Sequence, residues 1–564
     1  MPITKFDSEE EKLLEPYVTS TTANVFALKN LQGIVGPAFA RYSRAKGGVR
    51  DVLLKEFIKD GIMDPVHAND LIARILIQYG DDSVGELEGA HLSFEQISVL
   101  QTKDIEDRRI GGSPIEQSTR YVFYDQKDIN GNWLYYRGSE LIHNSFGEQY
   151  RQTMDFIFQT YSDLIEPLKN YLETQKPIEE AEYDINGDDI KEKWQDLTDE
   201  KSQKSFRQTY TMDLRTKACD VLRGLLPLST KTNLGLFGNG RYYQEMLSHL
   251  LTTELPESHK NAALAKEALD QIIPQYVKRA KRRDYNAAVN EAMFKLSAEL
   301  FSDVTRQLPK TLPEYTLVDR GEQYIESKIK AGASIKEAIT EFEYISIIAS
   351  MLYSYCDLSL TQLRELVISF DEKTKQKTWD TYLGDRTNRR NRPGRALESS
   401  YPYTFDLVTN FGVYKDLERH RMNTQQRQLF TTKLGFDVPE EIKKINAVEV
   451  WQGCFQKADQ LFKAMEVENP VLAQYAVLHG HYVRWMLGIN DRAIMHLLEL
   501  RSTPQGHPQY RVASQEIHKL IMERDARRGN AMKFVDYNDY YWSRADSEAR
   551  QRAKEAKLDQ NSEQ

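Results

Sequence analysis

Cysteine is scarce in this chain: three residues in 564, at positions 219, 356 and 454. They are far apart and form no CxxC, so a disulfide framework and a zinc ribbon are excluded. A reducing compartment, the cytoplasm, is expected, with the three cysteines as ordinary core or helix residues. Long hydrophobic runs are missing too. The most apolar stretch, YISIIASMLYSYCDLSL (344–360), is broken by Ser, Cys and Asp and is too polar to span a membrane. The opening MPITKFDSEEEKLL is acidic and has no apolar h-region, so no signal peptide is expected. Positive charge is not in surplus. Lys and Arg number 75 against 84 Asp and Glu, a net charge of −9, which argues against a general nucleic-acid coat. There is no Walker A loop, no strand–GxGxxG–helix, no GxSxG and no HExxH. No metal site is expected.

The length implies about two to four domains. Apolar residues recur at helical spacing over 262–303, around Pro274, and again over 335–368. Residues 180–206 are acidic and polar and read as an exposed insertion. Beyond Trp542 the chain is almost wholly charged and polar. Two weak internal repeats stand out. HLSFEQISVLQTKDIEDRR (91–109) lies on PYTFDLVTNFGVYKDLERH (402–420) without a gap at an offset of 311. Each begins with alternating apolar residues, as a half-buried strand does, and runs into an arginine cluster. GLFGNGRYYQEML (235–247) pairs with WMLGINDRAIMHLL (485–498), each with Asn-x-Arg opening a helix that Asn can cap. The arginines of the two motifs lie farther apart in the first half (108 to 241) than in the second (419 to 492), 133 residues against 73, a difference of 60 that fits an insertion there. A tandem duplication follows, with its boundary in 305–340.

Four stretches carry chemistry. In SPIEQSTRY (113–121), Ser113-Pro114 reads as a turn and RYVFY as a strand. Ser118 and Thr119 offer hydroxyls, Arg120 a planar fork for phosphate, and Glu116 an acceptor for a sugar hydroxyl or a ring N–H. The plain alternative is a turn that satisfies its own backbone. In ERHRMNTQQRQLF (418–430), Arg419, His420 and Arg421 form either a solvated basic corner or a phosphate or flavin clamp. GINDRAIMHLLELRS (488–502) sets Arg492 and His496 one helical turn apart, with Arg501 at the helix end. VLRGLLPLSTKTN (221–233) carries Arg223 ahead of a proline. The runs TNRRNRPGR (387–395) and KRAKRR (278–283, on an expected helix) read as solvated faces, since no aromatics for base stacking are interleaved.

Together these segments resemble flavin-dependent thymidylate synthases. RRIGGSPIEQSTRY and ERHRMNTQQRQLF resemble that family's R-H-R and N-E-x-S-x-R-Y segment. LRGLLPL and the two Asn-x-Arg helices resemble its later A-R-x-x-L-P and N-x-R-x-x-x-[HN]-F-x-x-L-R segments. FARYSRAKGG (39–48) and GDDSVGELEGAHLSF (80–94) are similar to its earlier A-R-V-S and H-x-T-P-F-E-H segments. The resemblance implies an α+β fold of two tandem thymidylate-synthase-complementing-protein-like domains, each a mostly antiparallel sheet packed with long helices. The halves are expected at 1–310, with the insertion at about 126–210, and at 311–542, followed by a charged tail at 543–564. The implied reaction converts dUMP to dTMP with methylenetetrahydrofolate, FAD relaying hydride from NADPH.

Carried over residue by residue, the resemblance makes Glu116, Gln117, Ser118, Thr119, Arg120, Arg223, Asp416 and Arg419 substrate-binding. It makes Ser83, Glu86, Asn239, Arg241, Arg419, His420, Arg421, Asn490, Arg492 and His496 cofactor-binding, and Arg501 the residue that activates the pyrimidine. The losses are reciprocal. In the first half Arg108 matches the first arginine of R-H-R, Arg109 and Ile110 replace the rest, and Leu250 stands at the activating arginine. In the second half Arg427, Leu429 and Thr431 replace the Glu, Ser and Arg of the loop, and Gln474 replaces the arginine before L-P. One loop and one clamp from opposite halves would therefore rebuild a site. The chain is expected to dimerise into a pseudo-tetramer. Asp416 stands where the family commonly has glutamine, which leaves open whether dUMP or another pyrimidine nucleotide is taken. Two alternatives stand beside the enzyme: a non-catalytic nucleotide- or flavin-binding descendant, and an RNA-associated protein.

Overall fold

A computed structural model describes residues 6–31, 33–42, 47–59, 62–63, 85–108, 110–385, 387, 391, 394–398, 403–420, 423–524, 526–532, 534–542, 545 and 549. The fold mixes helix with small antiparallel sheets. The elements used below are the strands β1 (Gly89–Ser98), β2 (Gly112–Glu116), β3 (Lys231–Asn239), β4 (Glu314–Leu317), β5 (Tyr403–Asn410), β6 (Thr424–Arg427) and β7 (Tyr482–Ile489). The helices are α1 (Val99–Glu106), α2 (Glu200–Leu222), α3 (Gly240–Leu250), α4 (Ile335–Tyr353), α5 (Phe411–Leu417), α6 (Val448–Glu468), α7 (Asp491–Arg501) and α8 (Pro508–Arg524). Among the described residues no helix is long and apolar enough to cross a membrane.

The chain forms two compact units. One comprises residues 1–117 and 232–287, the other 118–231 and 288–564. The first holds a sheet in the order β1-β3-β2, the second one in the order β6-β7-β5-β4. Three strands of each sheet repeat one plan, with the last strand of the motif in the middle. The register repeats as well. Ser113 pairs with Phe237 and Glu116 with Leu234; Thr424 pairs with Gly488 and Arg427 with Trp485. Every one of these pairs obeys the same two offsets, 311 (113 to 424) and 251 (237 to 488). Such register is strongly specified wherever a sheet face is buried, so the agreement is structural support for duplication.

The helix caps refine the alignment. Ser98 accepts from the Gln101 N–H at 3.0 Å, and Asn410 from the Val413 N–H at 3.0 Å. These caps are 312 apart (98 to 410), so the gapless pairing of 91–109 with 402–420 slips by one residue at the helix. The shifted pairing matches Lys103, Asp104 and Glu106 with Lys415, Asp416 and Glu418, all six buried. Asp107 is then the counterpart of Arg419, and Arg108 of His420. Gly111, at φ +89, takes up the extra residue before β2, where only glycine is unstrained.

Within the second unit the two copies of the L-P step meet each other. Pro227 bridges Leu478. The Leu228 N–H donates to Val477 O at 2.7 Å, and the His479 N–H donates to Leu226 O at 2.8 Å. Pro227 and Leu478 are counterparts at offset 251, and the same offset exchanges the two hydrogen bonds, so the contact is isologous, as across a two-fold axis.

Three sequence expectations are corrected. RYVFY is not a strand; the ladder runs over Gly112–Glu116 instead and includes Ser113-Pro114. Proline is tolerated there because β2 is an edge strand. Residues 180–206 are not merely exposed. A hairpin pairs Glu182–Tyr183 with Glu192–Lys193, and Ala181, Tyr183, Ile185 and Phe206 bury a small core with Trp194 against it. KRAKRR lies outside helix, between Pro274–Val277 and Asp284–Phe301. The expected helices over 262–303 and 335–368 are present, as Pro256–Asp270, Asp284–Phe301, α4 and Leu360–Ser369. Cys219 and Cys454 are buried, and burial pushes the Cys454 thiol up to about 11.

Candidate functional site

The second unit gathers arginines from both halves of the sequence. α2, capped by Asp199, delivers Asp220 in its last turn and Arg223 in the 3-10 turn that follows. The loop after β2 brings Arg120. Arg120 Nε and Nη2 donate to the two Asp220 carboxylate oxygens at 2.6 and 2.7 Å, with both side chains only 5% exposed. This bidentate geometry is the strongest an arginine makes. The same guanidinium donates to Gln505 O at 3.4 Å.

Arg223 lies against Gly412 in the first turn of α5. A Cβ on Gly412 would stand 2.9 Å from Arg223 Nη2. From there Nη2 faces Asp416 Oδ2 at 3.6 Å, and Arg419 Nη2 donates to Asp416 Oδ1 at 3.1 Å. Burial opposes ionisation of Asp416, yet Arg223, Arg419 and Arg501 hold its carboxyl well below the usual range. Arg501, at the end of α7, donates through Nε to His420 Nε2 at 2.8 Å and lies 5.5 Å over the Tyr510 ring. His420 is pushed down to about 3, by burial first and then by Arg501, His496 and Arg419, and is neutral. Its ring is 6.0 Å from that of His496.

His507 completes the cluster. Its Nδ1 accepts from the Gln509 N–H at 3.2 Å, so the proton sits on Nε2, 3.9 Å from Asp220 Oδ1. Burial pushes it down to about 3, with Arg223 adding to the effect. Arg223 Nη2, Asp416 Oδ2 and His507 Nε2 are buried without a hydrogen-bond partner among the described residues. Asp220, Arg223, Asn410, Gly412, Asp437 and Gln509 line one small cleft, with Trp451 and His479. Burial pushes the Asp437 carboxyl up, towards the neutral form.

The remaining sequence candidates divide. Ser118 Oγ accepts from the Arg120 N–H at 3.3 Å, and Thr119 is buried. Glu116 and Gln117 belong to the other unit. The Glu116 side chain is buried there, 3.4 Å from Lys103 Nζ, and Gln117 Oε1 accepts from Asn233 at 3.0 Å. Asn239 and Asn490 cap α3 and α7 through the N–H groups of Tyr242 and Ala493 at 2.8 and 2.9 Å. Arg241 is ion-paired with Glu86. Leu250 is core, and Arg108 meets His249 Nδ1 at 3.0 Å. Ser83, Arg421 and the Arg492 side chain lie outside the described residues. Sequence reasoning missed Asp220 and His507. Asp220 carried a usable signal, a carboxylate one helical turn before Arg223; His507 carried none.

Comparison with known proteins adds an independent line. A family model described as thymidylate synthase complementing protein matches residues 38–275 and 343–525, one match in each half. A UPF0159 protein of Chlamydia muridarum (strain MoPn / Nigg) is 35% identical over 561 residues, covering 97% of this chain and 99% of the relative. One from Chlamydia pneumoniae is 34% identical, covering 97% and 98%. One from Thermoplasma acidophilum is 29% identical over 523 residues, covering 92% and 98%.

Proposed function

Because the chain belongs to the thymidylate synthase complementing protein family, we propose that it is a flavin-dependent thymidylate synthase. It methylates dUMP reductively to dTMP, with methylenetetrahydrofolate and NADPH as co-substrates. The site is a composite of both sequence halves, meeting near residue 310. The observation that carries this reading is a charge surplus. Four guanidiniums, those of Arg120, Arg223, Arg419 and Arg501, stand around two carboxylates held in ionised form, Asp220 and Asp416. His420 and His507 add no charge. Two positive charges left over suit the dianionic phosphate of a nucleoside monophosphate.

The roles differ from a simple transfer of the family pattern. Arg120 is committed to Asp220, so it braces the loop, while Arg223, whose Nη2 makes no hydrogen bond among the described residues, takes the anion. Arg501 stabilises negative charge that develops on the pyrimidine ring. Neutral His420 fixes the direction of its guanidinium. The donor set also fits a flavin. The Arg419 side chain is 43% exposed, His420 is neutral, and α7 opens with a capped N-terminus suited to a diphosphate. These groups would hold FAD, which when bound supplies the hydride. The isologous Pro227–Leu478 contact supports counting one chain as two family subunits, and a homodimer as a pseudo-tetramer.

A second reading has its own support. Asp220 and Asp416 already occupy three of the four arginines, as in a nucleotide-binding descendant without turnover. One experiment separates the two: flavin absorbance of the purified protein, then dUMP- and folate-dependent NADPH oxidation with dTMP as product. Turnover establishes the enzyme. Micromolar dUMP binding with neither flavin nor turnover establishes the descendant, and no dUMP binding rejects both.

A further inference from the structure

Beyond Trp542 the sequence offers only charge, but the residues just ahead of it are bonded at both ends to the carriers of the arginine cluster. At one end the Asp536 N–H donates to Ser502 Oγ at 2.9 Å. Arg511 donates through Nε to Ser502 O at 2.9 Å and through Nη2 to Asn538 O at 2.8 Å. Gln515 Nε2 donates to Asp536 O at 2.9 Å. Ser502 is wholly buried and is the C-cap of α7, directly after Arg501. Carbonyls at a helix C-terminus have no partner inside the helix; here Arg511 satisfies that of the cap and ties it to the segment. At the other end the Tyr541 ring lies 3.6 Å from Lys217 Nζ, and the Trp542 ring 5.0 Å from Lys176 Nζ. Lys217 sits on α2 one turn before Asp220, and Lys176 is bonded to Asp213 of α2 at 2.7 Å.

We propose that Phe534–Trp542 is a positioning strap: it joins the C-cap of α7 to α2 and so sets Arg501 in register with Asp220 and Arg223, with Ser502 and Arg511 as the positioning residues. α7 and α2 come from opposite halves of the sequence, and each contributes one side of the cluster. Without a brace, small rotations of either helix would move Arg501 off His420 Nε2. The strap spans the two through contacts that involve no residue of the cluster. Tyr510 and Arg511 are neighbours on α8, so the residue that grips Ser502 adjoins the ring beneath Arg501. The catalytic consequence rests on the reading of Arg501 given above; the positional claim does not.

The test therefore reads position first. Full-length protein is labelled with 15N-histidine, and the His420 tautomer is read at pH 7.5 in long-range proton–nitrogen spectra, assigned with His420→Gln. In the wild type Arg501 donates to Nε2, so Nε2 is bare and the proton is on Nδ1. Among the described residues, Arg501, His496 and Arg419 act on this ring as charged or titratable neighbours. Ser502→Ala and the double variant Tyr541→Ala/Trp542→Ala are expected to release Arg501 and give a mixture of tautomers. They are also expected to lower kcat at least tenfold with the KM for dUMP within threefold. Ser502→Ala removes a single hydroxyl and reads the same quantity should the double variant fold poorly. A wild-type tautomer in the folded variants overturns the strap. A tautomer change in a protein that shows no turnover even as wild type leaves the strap standing and rejects the enzymatic reading instead.

Discussion

Arg223 and Gln474 occupy the same place in two copies of one motif, at offset 251, and they do opposite things. Each opens a 3-10 turn after a helix, just before the isologous contact. Gln474 is satisfied at home: Oε1 accepts from the Phe430 N–H at 3.0 Å, and Nε2 donates to Val471 O at 3.2 Å. Arg223 reaches out of its own copy, over Gly412, to Asp416. One copy turns a charge towards Asp416 of the other, which spends the same position on holding its own loop. The lesson is that a buried site can lose its chemistry while keeping its fold, provided the replacement satisfies the backbone the old residue left exposed.

Forcing the copies to match tests this contrast. The largest effect is expected from Gln474→Arg, which buries a guanidinium with no carboxylate and orphans the Phe430 N–H. A loss of about 4 kcal/mol in urea unfolding is the outcome; unchanged stability would mean that position 474 is not closed. Arg223→Gln makes the first copy like the second. Its dUMP affinity in calorimetry should fall roughly 100-fold, about 3 kcal/mol for a charge-assisted contact, and the melting temperature should fall as well, because buried Asp416 loses a counter-charge. Equal binding would remove Arg223 from the site.

His481 sharpens the contrast through pH. Its counterpart at offset 251 is Thr230. His481 Nδ1 accepts from the Leu478 N–H at 2.9 Å, and burial pushes the ring down to about 3. The folded state thus refuses a proton that the unfolded chain takes up below about 6.5. Stability is full above that value and is lost as pH falls towards 3, by about 2 kcal/mol between pH 6.5 and 5. His481→Thr should flatten the dependence of unfolding free energy on pH over that window by about this amount, whatever it costs at pH 7.5. The smallest effect is expected from Gly412→Ala. Its Cβ must displace Arg223 Nη2 by a few tenths of an ångström, which should weaken dUMP binding roughly fivefold, about 1 kcal/mol, and leave the fold intact.

Much of this was legible before the structure. Arg223 stood out because it precedes an L-P step, and Asn239 and Asn490 because a cap followed by Arg is a local signal. The repeat and its offset of 311 were readable from the order of the motifs, but the one-residue slip was not. It is set by where Ser98 and Asn410 cap their helices, and a gapless overlay cannot see that. RYVFY looked like a strand by composition, yet pairing is decided by the partner β3, which takes Gly112–Glu116. Glu116 was read as a ligand acceptor because spacing shows only its own loop, not Lys103 beneath it. Asp220 and His507 come from elements joined only in three dimensions, so the pairing that decides how Arg120 is used was invisible in the linear chain.

The isologous contact at Pro227 and Leu478 has a genetic consequence. In an assembly of identical subunits, residues on a two-fold axis change together, because one codon writes both. Here two codons write them, so each side is free to drift towards a different task. The wrong pairing of halves also needs no discrimination, because the tether holds the right partner at a local concentration that dilution cannot lower. An arginine cluster held within one chain in this way stays whole however few copies of the protein a cell makes.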